Sequence, residues 1–202
     1  MKRTRVRGAL ASAVMTALLT AVGAAPAQAT PPTANACVFE GVNLNEFLGV
    51  RERLIGPPPC REAFVGEKWV RTFPSWGTAP SAVGAVYPPG YVPSRPNPMD
   101  DFVSKFQGVR IVQDIGTRQE WSAVFGPKTL RRFSTQDGLI FASFASGVLR
   151  PLSAGTHTTT VFMRLKAEHC DGLGTDPALN CLPAGEFQYT GDTPVTFLPR
   201  HP

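Results

Sequence analysis

The segment Asp137–Ala167, DGLIFASFASGVLRPLSAGTHTTTVFMRLKA, constrains the fold more than any other part of the chain. From Thr158 onward it alternates clearly. Thr159, Val161, Met163, Leu165 and Ala167 share one face of an extended chain, and Thr158, Thr160, Arg164 and Lys166 share the other, with Phe162 the exception. Side chains of a strand point to opposite faces in turn, so this is a strand with one buried and one solvated side. Leu139 to Leu149 is apolar on both faces, which suits a strand covered on both sides. Pro151 and Gly155 punctuate the connection, so the two strands are expected to pair at the centre of an antiparallel sheet.

The turn residues carry a resemblance. Asp137-Gly138 before an apolar strand, then Pro151-Leu152-Ser153, Gly155 and His157-Thr158 opening the next, is similar to a pattern in uncharacterised secreted bacterial β-sandwich proteins. It covers about 30 residues of turn chemistry. It implies a fold and a location, and brings no activity with it.

Residues 1–29 read as a secretory signal peptide. Lys2, Arg3, Arg5 and Arg7 form the cationic start, Ala9 to Gly23 is apolar, and Ala27-Gln28-Ala29 is a small-x-small cleavage site. Without a cysteine after the cut or an apolar C-terminal tail, a soluble, released, extracellular product is expected. The leader also holds most of the excess charge. Four of the 20 basic residues and none of the 15 acids lie in it, so the exported part carries 16 against 15. That near-neutrality argues against nucleic acid as a partner, and export without a span argues against a membrane.

The remaining ~170 residues suit one domain. All four cysteines lie there, and an even count in an exported protein reads as disulfides. Cys37–Cys60 and Cys170–Cys181 are the preferred pairs of three possible arrangements, because each closes a short loop.

Within the domain, 30–36 is expected to be a mobile arm and 37–73 a lobe of one helix and short strands. One helix is expected over Leu44 to Ile55, opened by Asn43 with Glu46 and ended by Gly56-Pro57-Pro58-Pro59. Arg51, Glu52 and Arg53 would be its solvated face. Residues 74–98 hold seven prolines together with Trp76, Tyr87 and Tyr91, and form a long connection that is either functional or poorly ordered. Residues 99–202 carry the main sheet, with short strands and turn signals at regular spacing. The fold class is therefore mostly β, an antiparallel β-sandwich or jelly roll with one short N-terminal helix.

No nucleophile elbow, zinc-helix motif, phosphate loop or EF-hand loop is present. A strand's length separates His157 from His169, which disfavours a joint metal site; His157 reads as a turn histidine and His169 as a brace for the second disulfide loop. Asp171, Asp176 and Asn180 supply oxygen ligands for a possible Ca²⁺ in the 170–181 loop, against their ordinary use in turns. Trp69, Trp76, Tyr87 and Tyr91 are the candidate binding aromatics, able to stack on sugars or to serve as contact area, with a lid over the sheet as the bland alternative. Asp100 and Asp101 with Glu120 are the candidate carboxylates of a hydrolase. The leading expectation is a secreted non-catalytic protein that binds an extracellular polysaccharide or protein. The alternative is a secreted hydrolase with an unrecognised carboxylate or histidine site.

Overall fold

A computed structural model describes residues 36–134, 138 and 140–200. The signal-peptide reading, nearly all of the 30–36 arm, and the parts of the turn pattern at Asp137 and Leu139 lie outside the described residues. The protein is mostly β. The chain begins with a hairpin of two-residue strands, β1 (Val38–Phe39) and β2 (Val42–Asn43), and the helix α1 (Leu44–Leu48). Next come β3 (Arg53–Ile55), β4 (Glu62–Phe64) and the long β5 (Trp69–Thr78). Helix α2 (Pro98–Lys105) leads straight into β6 (Phe106–Gln113), followed by β7 (Trp121–Phe125), β8 (Leu130–Ser134) and β9 (Ile140–Ala145). The rest is β10 (Gly155–Leu165), β11 (His169–Cys170), α3 (Pro177–Asn180), β12 (Cys181–Leu182), β13 (Gly185–Gln188) and β14 (Thr193–Leu198).

Two sheets hold the long strands. One runs β4-β14-β10-β6-β7, with β13 following β14's contact along the same edge of β10; the other runs β3-β5-β9-β8. Their inner faces enclose a single core. Phe73 stacks on Phe144 within one sheet, Phe144 meets Phe106 of the other at 5.6 Å, and Trp69 meets Phe197 edge-on at 5.5 Å. The face of β10 read as buried is buried at Thr159, Val161, Met163 and Leu165, and Arg164 opposite is exposed, but Thr160 on that opposite face is buried as well.

Three expectations are corrected. The strands at 140–145 and 155–165 do not pair; they belong to opposite sheets, and the connection between them crosses the sandwich. The sheets are not purely antiparallel, since β3 pairs with β5 and β14 with β4 in parallel. The helix is one turn long, not three. Asn43 caps it through Glu46 N as expected, but Gly49 ends it at φ +66, and Arg53–Ile55 is a strand. Glycine reaches that left-handed conformation without the Cβ penalty, so the helix stops there and not at the prolines. Arg53 accordingly pairs with Glu67 at 3.2 Å. Among the described residues two further α-helices, α2 and α3, accompany it.

A second, smaller core packs on the outer face of the four-stranded sheet. Cys37, Leu48, Leu54, Cys60 and Val70 form it, and Phe47 stacks on Phe133 at 3.9 Å. The Cys37–Cys60 disulfide closes this lobe, and Cys170–Cys181 joins β11 to β12.

Candidate functional site

Three places bring polar side chains together, and only one of them is concave with mostly apolar walls.

The first is a buried network at the start of α2. Asn97 caps the helix and Pro98 sits in its first turn, which places Asp101 in that turn and Lys105 one turn on. Asp101 is fully buried. Its Oδ1 accepts from Ser94 N and Oγ at 2.7 Å and from Arg95 N at 3.2 Å. Its Oδ2 accepts from Lys105 Nζ at 2.7 Å, Tyr91 OH at 2.8 Å and His169 Nδ1 at 2.9 Å. Burial alone would raise this carboxyl, but the donors of His169, Lys105, Ser94 and Tyr91 outweigh it and hold the pKa well below the usual range. Burial lowers the His169 pKa against the pull of Asp101, so the ring is neutral with its hydrogen on Nδ1. His169 Nε2, Trp76 Nε1 and Tyr87 OH are buried without hydrogen-bond partners.

This network fixes the fate of the aromatic stretch. Trp69 is not a binding aromatic: it is 0 % exposed, and its Nε1 donates to the Arg150 carbonyl at 2.9 Å. Trp76, Tyr87 and Tyr91 are half-buried. Trp76 meets the His169 ring edge-on, Tyr91 bonds Asp101, and Tyr87 lies against Tyr91. The three rings pack on this network. The expected carboxylate pair is divided likewise. Asp100 pairs with Arg132 at 2.8 Å on the surface, Asp101 is enclosed, and Glu120 accepts from Gly116 N in the β6–β7 turn.

The second place is a shallow cleft lined by Asp114, Gln119, Arg150 and the turn Pro151–Ser153 with His157. His157 Nδ1 lies 2.7 Å from Asp114 Oδ2, and Nε2 lies 3.4 Å from Ser153 Oγ. The order serine, histidine, carboxylate is that of a nucleophile, base and orienting group. However, Nε2 is closer to the Ser153 carbonyl oxygen, at 3.1 Å. With a hydrogen on Nε2 the ring donates to that carbonyl, and in that state it cannot accept from the Ser153 hydroxyl. The arrangement holds a turn. Asp114, at φ +50, also takes the Thr158 N–H at 2.9 Å and thereby anchors the start of β10.

The residues proposed for Ca²⁺ are spent on local structure. Asp176 Oδ1 caps α3 through Ala178 N, Asp171 Oδ1 accepts from Leu173 N, and Asn180 turns its amide nitrogen towards Asp171. Among the described residues no group of three or more His, Cys, Asp or Glu side chains is placed to hold a metal ion.

The third place was not singled out by any motif. A cavity of about 420 Å³ lies between the N-terminal lobe and the edge of the sandwich. Phe39, Leu44, Phe47, Pro57, Pro58 and Phe73 give it apolar walls. A register shift in β5 between Phe73 and Trp76 opens the floor, because Pro74 cannot donate to the ladder and the strand bulges there. Gly56 lets the lobe come close: a Cβ on it would fall 2.3 Å from Thr72 Cγ2. Arg71 reaches into the cavity from β5. It is 2 % exposed, and its guanidinium donates only to neutral oxygens: Thr159 Oγ1 at 3.0 Å, Thr193 Oγ1 at 2.9 Å, and the carbonyls of Ile55 and Thr72. Arg61 lines the same space with its Nε buried and without a partner. Desolvation, and then the positive charge of Arg61, bring the Arg71 pKa down to about 10, so Arg71 remains a cation at neutral pH.

Comparison with protein-family models, with curated proteins and with solved structures finds no match. The reading of function therefore rests on these side chains alone.

Proposed function

We propose that this protein is exported and works outside the cell as a non-catalytic binding protein, holding a small ligand in the cavity beneath its N-terminal lobe. The observation that carries this is the cavity itself: a concave space with apolar walls and a limited set of polar side chains, Arg61 and Arg71 among them, of the size small-molecule sites have, ~300–1,000 Å³. The leader sequence supports export. The two disulfides fit an oxidising compartment, and no helix among the described residues is long and apolar enough to cross a membrane. A polysaccharide or a protein partner would need a different surface, since Trp69 is in the core and the other three rings face inward.

The test is occupancy. Protein purified from culture supernatant is examined by native mass spectrometry for a bound small molecule, and compared with Ser75→Trp, which places an indole at the cavity's exposed rim. A bound mass that Ser75→Trp loses supports the reading. Equal occupancy in both proteins would overturn it.

The hydrolase alternative draws its support from the Ser153, His157 and Asp114 cluster. It requires the His157 ring to leave the Ser153 carbonyl.

A further inference from the structure

We infer that the ligand of this cavity is an amphiphilic anion, with a single oxyanion head on an apolar body. This rests on the binding-protein reading and goes on to say which chemistry the site selects. The cavity's lining contains two arginines and no aspartate or glutamate. No ion pair joins either arginine to an acid among the described residues; the six pairs present involve other side chains.

A buried cation held only by hydroxyls and carbonyls is an expensive arrangement, because its charge is desolvated without an opposite charge nearby. A second guanidinium beside it increases the cost. Elsewhere this protein balances its buried cation directly, as Asp101 does for Lys105. The imbalance at Arg71 and Arg61 lies in the cavity whose walls are mostly apolar. An oxyanion there would take the free Arg61 Nε–H in a charge-assisted bond and neutralise both cations. Guanidinium forks match the planar, two-oxygen geometry of a carboxylate better than they match a point charge.

The walls decide the rest of the molecule. Phe39, Leu44, Phe47 and the Pro57-Pro58 pair offer nothing for a second charge to bond, which disfavours nucleotides and inorganic phosphate. They suit an aliphatic or aromatic body lying along the lobe. A cationic or neutral amphiphile would find the same walls but the wrong head site.

The experiment compares three probes with one body and different heads: decanoate, decanol and decylammonium. Each is titrated calorimetrically, below its aggregation concentration, into the exported chain and into Arg61→Gln. Arg61 is chosen because Arg71 bridges the two sheets through Thr159 and Thr193, and its loss risks the fold. Decanoate is expected to bind at least about tenfold more tightly than decanol, with decylammonium weakest. In Arg61→Gln the preference for decanoate should fall to within about threefold, with decanol binding retained. Equal affinity for decanoate and decanol, or an undiminished preference in Arg61→Gln, would overturn the charge assignment and leave the cavity as the site. Failure of all three to bind would overturn the binding-protein reading itself.

Discussion

His169 donates from Nδ1 to Asp101 Oδ2 at 2.9 Å across 68 positions of sequence, and this bond joins the second disulfide loop to the first turn of α2. Lys105, Tyr91 and Ser94 converge on the same carboxylate. Asp101→Asn would leave the Lys105 ammonium buried without its counter-charge. Removing one partner of a buried pair costs roughly 3–5 kcal/mol. The neighbouring Asp100, half-exposed against Arg132, belongs to the class of surface pairs worth about 0–1 kcal/mol. Urea unfolding of Asp101→Asn and Asp100→Asn should separate them by several kcal/mol. Similar midpoints would show that the enclosed network does not anchor the domain.

The same network sets the response to acid. The His169 pKa lies below its ordinary 6.5, because burial opposes the imidazolium. The unfolded chain therefore takes up a proton that the native state refuses, and stability falls as pH drops below about 6.5. Asp101 acts in the same direction at lower pH. Its depressed pKa gives stability that is present above the ordinary carboxyl value of 3.8 and lost as pH falls through and below it. Denaturation midpoints between pH 7.5 and 5 should decline in the wild type. The decline should flatten in His169→Gln, which retains an N–H donor for Asp101 but does not titrate. An unchanged slope would remove His169 as the source.

The two disulfides should have separable effects. Each closes a short loop, with separations of 23 and 11, and each is worth roughly 3 kcal/mol through the unfolded chain. Only Cys37–Cys60 brackets the cavity wall, since Phe39, Leu44, Phe47 and Pro57 all lie within its loop. The double substitution Cys37→Ser with Cys60→Ser should lower stability and weaken ligand uptake by tenfold or more. Cys170→Ser with Cys181→Ser should lower stability and leave uptake intact. Equal loss of uptake in the two would argue against the lobe as the wall.

The sequence carried the centre of β10 well because period-2 alternation is local, but its start at Gly155 was hidden in what read as the connection from Pro151. Pairing was harder, since nothing in Ile140–Ala145 says whether its neighbour is Gly155–Leu165 or the distant Trp69–Thr78. Helix α2 had a readable start, Asn97-Pro98 followed by two acids, but it sits at the end of a proline-rich stretch that suggests a loop. The cavity had one signal. Trp69, Arg71 and Phe73 alternate onto one face of β5, and an arginine between two large aromatics on an inward face must be buried or must line an opening. That Arg61 lies beside it depends on the path of the disulfide loop, which no spacing rule encodes.

His157 offers the sharpest discrimination between a turn clamp and a catalytic base. As a clamp, it links Asp114 Oδ2 to the Ser153 carbonyl and closes the turn into β10. His157→Ala would leave the Asp114 carboxylate, mostly buried, short of a donor, and should destabilise the protein by about 1–3 kcal/mol. Ser153→Ala, at an exposed position whose hydroxyl makes only a 3.4 Å contact, should change stability by less than about 0.5 kcal/mol. A fluorophosphonate probe separates the two roles directly, because it reacts with serines that a neighbouring base has activated. The clamp predicts no labelling of wild-type protein. Labelling that disappears in both Ser153→Ala and a folded His157→Gln would show that the ring does leave the carbonyl, and would move the balance from binding protein to hydrolase.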